Sequence, residues 1–166
     1  QEDGEVGAAG TTGSSQSIAI GLPVGDYVEG LSMGVASGTD ELADGSATTT
    51  DIDSWVVFAN YSMGPVTAGY QMSNIDNGTG GATDEVVDQW GIAFNVNDDL
   101  SVSYGERDVE YDKPSGTNVT ENGEGVAIAY TMGSVKIAGN RNEVANNGGT
   151  TGSSDEMTEI AVSFAF

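Results

Sequence analysis

The chain has 166 residues, enough for one domain, and 25 of them are glycine. Asp and Glu number 26 against 4 Lys plus Arg, and the formal charge of −22 excludes binding to nucleic acid phosphates. Cys and His are both absent, which excludes Cys/His zinc sites, Cys nucleophiles and Ser-His-Asp triads. Acidic, glycine-rich chains are often disordered, but the apolar residues here are ordered into alternating blocks.

Large apolar residues recur at every second position, the pattern of strands with one apolar face. Taken along the chain, the blocks lie at 18–22, 55–61, 90–96, 126–132 and 160–166. Each of the first four is followed by turn-forming residues, at 23–26, 64–65, 97–99 and 133–134, and then by a second alternating segment. The period of two and the β-branched and aromatic content exclude helices, so these pairs predict antiparallel hairpins.

The hairpins and the last block predict nine strands, separated on one side by short turns and on the other by long polar loops. The strands are expected at about 16–22, 28–36, 54–63, 66–74, 86–96, 100–111, 125–132, 135–142 and 157–166. The loops, which carry most of the acid, are expected at about 37–53, 75–87, 112–123 and 143–156. Strict alternation of short turns with long loops is typical of an all-β, antiparallel transmembrane β-barrel.

The last block predicts the orientation of the barrel. Ile160, Val162, Phe164 and Phe166 share one strand face, and the chain ends on that aromatic. With the short turns in the periplasm, the C-terminus is periplasmic and the long loops are extracellular, in an outer membrane. Aromatic side chains are then expected at the two membrane interfaces. They are Tyr27, Trp55, Tyr61, Trp90, Tyr130 and Phe166.

Nine strands are an odd number, whereas single-chain bacterial barrels are even-stranded. We therefore expect 1–166 to be one partial domain, with residues 1–15 as the remnant of an extracellular loop and 16–166 as the C-terminal part of a larger barrel. The opening residues contain no signal peptide and resemble the middle of a loop.

The other face of the predicted strands carries mostly Gly, Ala, Ser, Thr and Asn. Such small residues cannot fill an eight-stranded barrel and suit a wide, water-filled pore. Larger polar residues that alternate onto this lumen face are candidates for tuning ion selectivity, and solvated charges near the rim are the alternative. The candidates are Gln71, Arg107, Lys136, Asn140 and Glu159, whereas Arg141 is expected on the opposite face near the outer rim.

Clustered carboxylates can bind Ca²⁺ or Mg²⁺, so the acidic loops offer weak candidates for loosely bound divalent cations. The densest pairs are Asp51 with Asp53 and Asp84 with Glu85, but simple solvated loops are the favoured interpretation. The acids concentrate in loops rather than converging from different strands, so we expect no enzyme activity, and no cofactor is indicated.

Three features resemble porins of Gram-negative outer membranes, most closely those of marine α-proteobacteria. They are the alternating strand that ends in Phe166, the repeated hairpin in YSMGPV, VNDDLSVSYGERD and YTMGSVKI, and the Gly/Asp/Asn-rich loops. The resemblance implies a sixteen-stranded barrel, a homotrimer at full length, and passive diffusion of small hydrophilic solutes. It also implies that the assembly machinery of the outer membrane reads the terminal strand, and that the loop narrowing a porin lies outside this chain.

Two other interpretations remain open at this point. A small closed barrel of eight strands, acting as an anchor or adhesin, would leave residues 1–25 as a tail. A secreted, soluble β-sandwich would also have alternating strands, with its apolar faces packed against each other.

Overall fold

A computed structural model describes residues 2–5, 12–41, 51–78 and 83–165. These residues form ten strands, of which nine have eleven to fourteen residues and the first has four. The strands are β1 Glu2–Glu5, β2 Thr12–Leu22, β3 Leu31–Glu41, β4 Ile52–Met63, β5 Val66–Asp76, β6 Asp84–Asn95, β7 Leu100–Asp112, β8 Val119–Met132, β9 Val135–Ala145 and β10 Ser154–Phe164.

All ten strands belong to one antiparallel sheet, and each pairs with its neighbours in chain order from β1 to β10. Within the described residues β10 pairs only with β9, so the sheet is open. The all-β fold and the antiparallel pairing predicted from the sequence are confirmed. A single sheet cannot be a β-sandwich, and Ile18, Ile20 and Leu22 lie inside the sheet rather than in a tail, so both alternative architectures are wrong.

The strands are longer than predicted, and their boundaries shift mainly into the expected loops. β2 begins at Thr12, and β1 lies within the segment expected to be loop 1–15. β3 begins at Leu31 rather than near residue 28, because a short 3-10 turn at Val24–Asp26 widens the preceding connection. The polar sequence beyond the apolar blocks still supplies backbone groups that pair, so the ladders continue past the apolar pattern.

The connections at one end of the sheet, the turn end, are 23–30, 64–65, 96–99 and 133–134. Those at the opposite loop end are 113–118 and 146–153, and the described ends of β3, β4, β5 and β6 lie at the same end. Gly64 and Gly133 open the two-residue turns with φ of 56° and 60°, a conformation that favours glycine. Three of the four turn-end connections have two to four residues, but 23–30 has eight, as many as 146–153 at the loop end.

The register separates the side chains of each strand onto two faces. On the apolar face, Val126, Ile128 and Tyr130 of β8 lie opposite Tyr104, Val102 and Leu100 of β7. On the small-residue face, Gly125, Ala127 and Ala129 of β8 lie opposite Gly105, Ser103 and Ser101. Because directly paired residues share a face, this assignment extends across the sheet.

The sheet has almost no core of its own. Among the described residues, Val109 is the one hydrophobic side chain that is fully buried. Within the same part of the chain, no helix combines the length and the apolar character needed to cross a membrane.

Candidate functional site

Large hydrophobic side chains on the apolar face are exposed rather than packed. Ile18 is 62% exposed, Ile128 52% and Ile160 76%. Monomeric soluble proteins rarely expose a continuous apolar surface of this extent, because each buried methylene group is worth about 0.8 kcal/mol. An apolar solvent around the sheet removes this penalty, so the apolar face is suited to lipid.

Two aromatic rings on the apolar face, those of Trp90 and Tyr104, direct their polar atoms to carboxylates. Trp90 lies directly opposite Glu106, and its indole Nε1–H donates to Glu106 Oε2 at 3.2 Å. The Tyr104 hydroxyl donates to Glu106 Oε1 at 2.5 Å and to Glu124 Oε2 at 3.1 Å. The two rings meet edge to face, with centroids 5.6 Å apart. An apolar ring with one wet end is what a membrane interface favours.

Carboxylates continue from this aromatic pair across four strands. Glu106, Glu124, Glu143 and Glu156 are directly opposed from β7 to β10 and form what we call the acidic row. The Arg141 guanidinium, on the same face, contacts Glu143 Oε1 at 2.6 Å and Glu156 Oε2 at 3.0 Å. The acidic row therefore marks the limit of the apolar surface on these strands, with one cation among its charges.

A row of four directly opposed glycines crosses the small-residue face. Gly69, Gly91, Gly105 and Gly125 are directly opposed on β5 to β8, and an asparagine follows at each end of this glycine row. The asparagines are Asn60 on β4 and Asn142 on β9. Each lies over its neighbouring glycine: a Cβ built on Gly69 or on Gly125 would be 2.4 Å from the side-chain oxygen of Asn60 or Asn142.

A broad concave groove of about 920 Å³ covers this part of the sheet. Its wall includes Gln71, Gln89 and Arg107 beside the glycine row. These side chains hydrogen bond readily to water or to a polar solute. Between the two asparagines, a Cβ on Gly91 would meet its nearest atom at 3.5 Å, so the space above this glycine is open.

The register assigns every predicted lumen residue to the small-residue face. Gln71 lies opposite Phe58 and Gln89, and Arg107 lies opposite Gln89 and Gly123. Near the turn end, Lys136 lies opposite Thr131 and Ser163. Asn140 lies opposite Glu159, and its side-chain Nδ2 donates to Glu159 Oε2 at 3.3 Å. The five residues are spread along four strands rather than gathered in one cluster.

The predicted interface aromatics occupy different places. Trp55, Tyr61, Trp90 and Tyr130 lie on the apolar face within strands. Tyr27 lies in the connection 23–30 and is 87% exposed. In the terminal strand, Ile160, Val162 and Phe164 lie on the apolar face of β10, whereas Phe166 lies outside the described residues.

The acidic residues considered for divalent cations lie in or beside β4 and β6. Asp84 and Glu85 are consecutive in β6, so their side chains point to opposite faces. Asp53 accepts a hydrogen bond from Thr39 Oγ1 at 2.6 Å, and Asp51 precedes the strand. Within the described ranges, no group of three or more acidic residues is arranged to hold a metal ion.

The most enclosed polar group is one that the sequence pattern does not identify. Glu121, 8% exposed, lies on the small-residue face at the loop end of β8. Its Oε1 is 3.3 Å from Arg107 Nη1, and its Oε2 accepts from the backbone N–H of Gly148 at 2.7 Å. The sequence places Glu121 in the expected loop 112–123, so its strand face could not be predicted. In the structure β8 starts at Val119 and includes Glu121.

One sheet of long antiparallel strands, with a lipid-suited face and a polar face of small residues, is the architecture of a transmembrane β-barrel wall. The solved structure of OmpT, an outer membrane protein of Vibrio cholerae folded in vitro, has the same fold, with a TM-score of 0.67 at 11% sequence identity. The match covers 92% of this chain and 56% of OmpT, so the chain spans little more than half the length of that protein. No protein-family model matches the sequence, and no curated protein matches it either.

Proposed function

We propose that this chain forms part of the wall of an outer-membrane porin, a water-filled channel for passive diffusion of small hydrophilic solutes and ions. The observation that carries the proposal is the contrast between the two faces of the sheet. The apolar face exposes large side chains that suit lipid, and the small-residue face carries the glycine row beside Gln71, Gln89 and Arg107. A wall of this kind encloses space rather than filling it, which favours a pore over a packed anchor.

The same contrast supports an orientation. The turn end is periplasmic and the loop end is extracellular, since short turns face the periplasm in barrels of this type. Trp90 and Tyr104 then lie at the outer interface, where their polar atoms reach the acidic row. On this orientation Tyr61 and Tyr130 belong to the inner interface.

The proposal extends to partners. The lipid of the outer membrane covers the apolar face, and the full-length protein assembles as a homotrimer. The barrel assembly machinery reads the terminal strand through Ile160, Val162, Phe164 and Phe166. The chain acts as a passive conduit, without catalysis or a cofactor.

The channel is tested by reconstituting the full-length protein in planar lipid bilayers and measuring conductance and reversal potential in a salt gradient. We expect discrete, non-rectifying conductance steps in the unmodified protein. Lys136→Glu changes the charge on the small-residue face, so it shifts the reversal potential toward cation preference.

Arg141→Glu is the matched control, because it makes the same charge change on the same strand but on the apolar face. We expect its reversal potential to remain close to that of the unmodified protein. Folded protein that inserts but does not conduct would contradict the channel. An equal shift from the two variants would contradict the assignment of the small-residue face to the lumen.

A further inference from the structure

The connection between β9 and β10, residues 146–153, folds over the small-residue face instead of extending away from the sheet. The backbone N–H of Gly148 donates to Glu121 Oε2 at 2.7 Å. A Cβ built on the buried Gly149 would lie 2.8 Å from Cδ2 of the Tyr111 ring. Tyr111 and Glu121 both belong to the small-residue face. We call residues 146–153 the inward loop.

The inward loop is held at several points. Asn146 adopts a left-handed conformation with φ of 55°, its Nδ2 donates to the Thr120 carbonyl at 2.9 Å, and its Oδ1 accepts from the Gly152 N–H at 3.0 Å. From the adjacent connection 113–118, Lys113 Nζ donates to the Gly149 carbonyl at 2.9 Å. Asparagine tolerates this conformation better than other non-glycine residues, so the sequence suits a fixed turn rather than an open loop.

Burial is concentrated beneath this loop. Val109, Glu121 and Gly149 are buried, whereas most side chains of the sheet are at least partly exposed. Arg107 lies at the edge of this buried patch: its side chain is 48% exposed, and that of its partner Glu121 is 11% exposed. The guanidinium is therefore fixed on one side by a carboxylate and open on the other toward the groove.

We propose that the inward loop, anchored by Glu121, narrows the outer mouth of the channel and positions Arg107 as a selectivity-determining cation facing the passing solute. The proposal rests on the porin function and names the element in this chain that limits passage. The resemblance to porins implies a different narrowing loop, so the inward loop is proposed as a restriction in its own right. Glu121 acts as a positioning residue, because it holds both the loop backbone and the guanidinium.

The position of the loop can be tested independently of conduction by a cysteine pair, since the chain has no native Cys. A Cβ at residue 149 would lie 3.3 Å from the Tyr111 Cβ, close to the ~3.5–4.5 Å that disulfides require. We expect Tyr111→Cys with Gly149→Cys to cross-link on mild oxidation of the folded, full-length protein.

Tyr111→Cys with Gly152→Cys is the matched control, because Gly152 also has positive φ but a Cβ there would have no neighbour within 4 Å. This pair should remain reduced under the same conditions. The inward position of the loop would be contradicted by equal cross-linking of the two pairs. It would also be contradicted if residues 111 and 149 did not cross-link in folded protein.

The effect on passage is tested with Glu121→Gln in planar bilayers. Loss of the carboxylate releases the loop and leaves Arg107 without its partner, so we expect higher conductance, passage of larger neutral sugars and a reversal potential shifted toward anions. Glu124→Gln is the control, because it removes the same charge from the same strand on the apolar face.

If the two variants conduct alike, the inward loop does not restrict the channel and the inference fails while the porin function stands. If the unmodified protein never conducts, the porin function itself fails, whatever the cross-linking shows. As a further check, the conductance of the Tyr111→Cys, Gly149→Cys variant is compared in the oxidised and the reduced state. Because the loop already lies inward, we expect the same conductance in both states.

Discussion

On β8, the outward-facing Val126, Ile128 and Tyr130 are 51%, 52% and 44% exposed, whereas their neighbours Gly125, Ala127 and Ala129 carry little or no side chain. The same backbone hydrogen bonds serve both sets of residues, so the strand itself does not distinguish them. What differs is the medium that each face can tolerate. The large side chains require an apolar surrounding, and the small ones leave room for water and solute beside the backbone.

The largest expected effect comes from placing a charge on each face in turn. Ile128→Arg puts a cation on the apolar face of β8, where the cost near the bilayer midplane is about 2–4 kcal/mol. We expect the free energy of unfolding in lipid vesicles, measured by denaturant titration, to fall by that amount. Ala127→Arg, one position away on the small-residue face, should change it far less. Equal losses would remove the distinction between the faces.

A second substitution sharpens the comparison by filling the small-residue face. A Cβ at Gly91 would meet its nearest atom, the Tyr104 carbonyl oxygen, at 3.5 Å, so the position accepts a side chain without strain. We expect Gly91→Phe to reduce single-channel conductance, because the ring occupies the space above the glycine row. Ala68→Phe, on the apolar face opposite Ile92, should leave the conductance near that of the unmodified protein. The proposed lumen would be misplaced if Ala68→Phe lowered conductance more than Gly91→Phe.

The smallest effect is expected at the loop end of the apolar face. Arg141 contacts Glu143 and Glu156, and its side chain is 53% exposed. Exposed ion pairs of this kind are worth about 0–1 kcal/mol. Arg141→Gln should therefore lower the free energy of unfolding by less than about 1 kcal/mol. A loss approaching that of Ile128→Arg would mean that this arginine lies in the apolar medium rather than in water.

The sequence predicts the strands and their faces well, because period-two alternation reports directly on which side chains share a surface. Alternation alone places Gln71, Arg107 and Lys136 on one face, and the register places them together on the small-residue face. Beyond the alternating blocks, the sequence does not predict the strand boundaries or the face on which a residue lies. Polar strand extensions read as loops, so β8 appeared to start near residue 125 rather than at Val119, and the side on which Glu121 lies could not be assigned.

The inward loop shows a different limit. Asn146, Asn147, Gly148 and Gly149 predict a turn, but nothing in their pattern states which way the turn leans. That direction depends on contacts with residues distant in sequence, Lys113, Thr120 and Glu121. The direction of the loop is therefore determined by contacts that form only when the strands of the sheet have paired.

The acidic row has a consequence for ionic conditions. Glu106 faces Glu124, Glu124 faces Glu143, and Glu143 faces Glu156, an arrangement in which directly opposed like charges destabilise a sheet. Mobile ions weaken repulsion between exposed charges over a Debye length of about 10 Å at 0.1 M salt. High salt concentration therefore stabilises the pairing of β7 to β10 at the acidic row, and low salt concentration destabilises it. This salt dependence is opposite to that of ordinary surface ion pairs, which salt weakens.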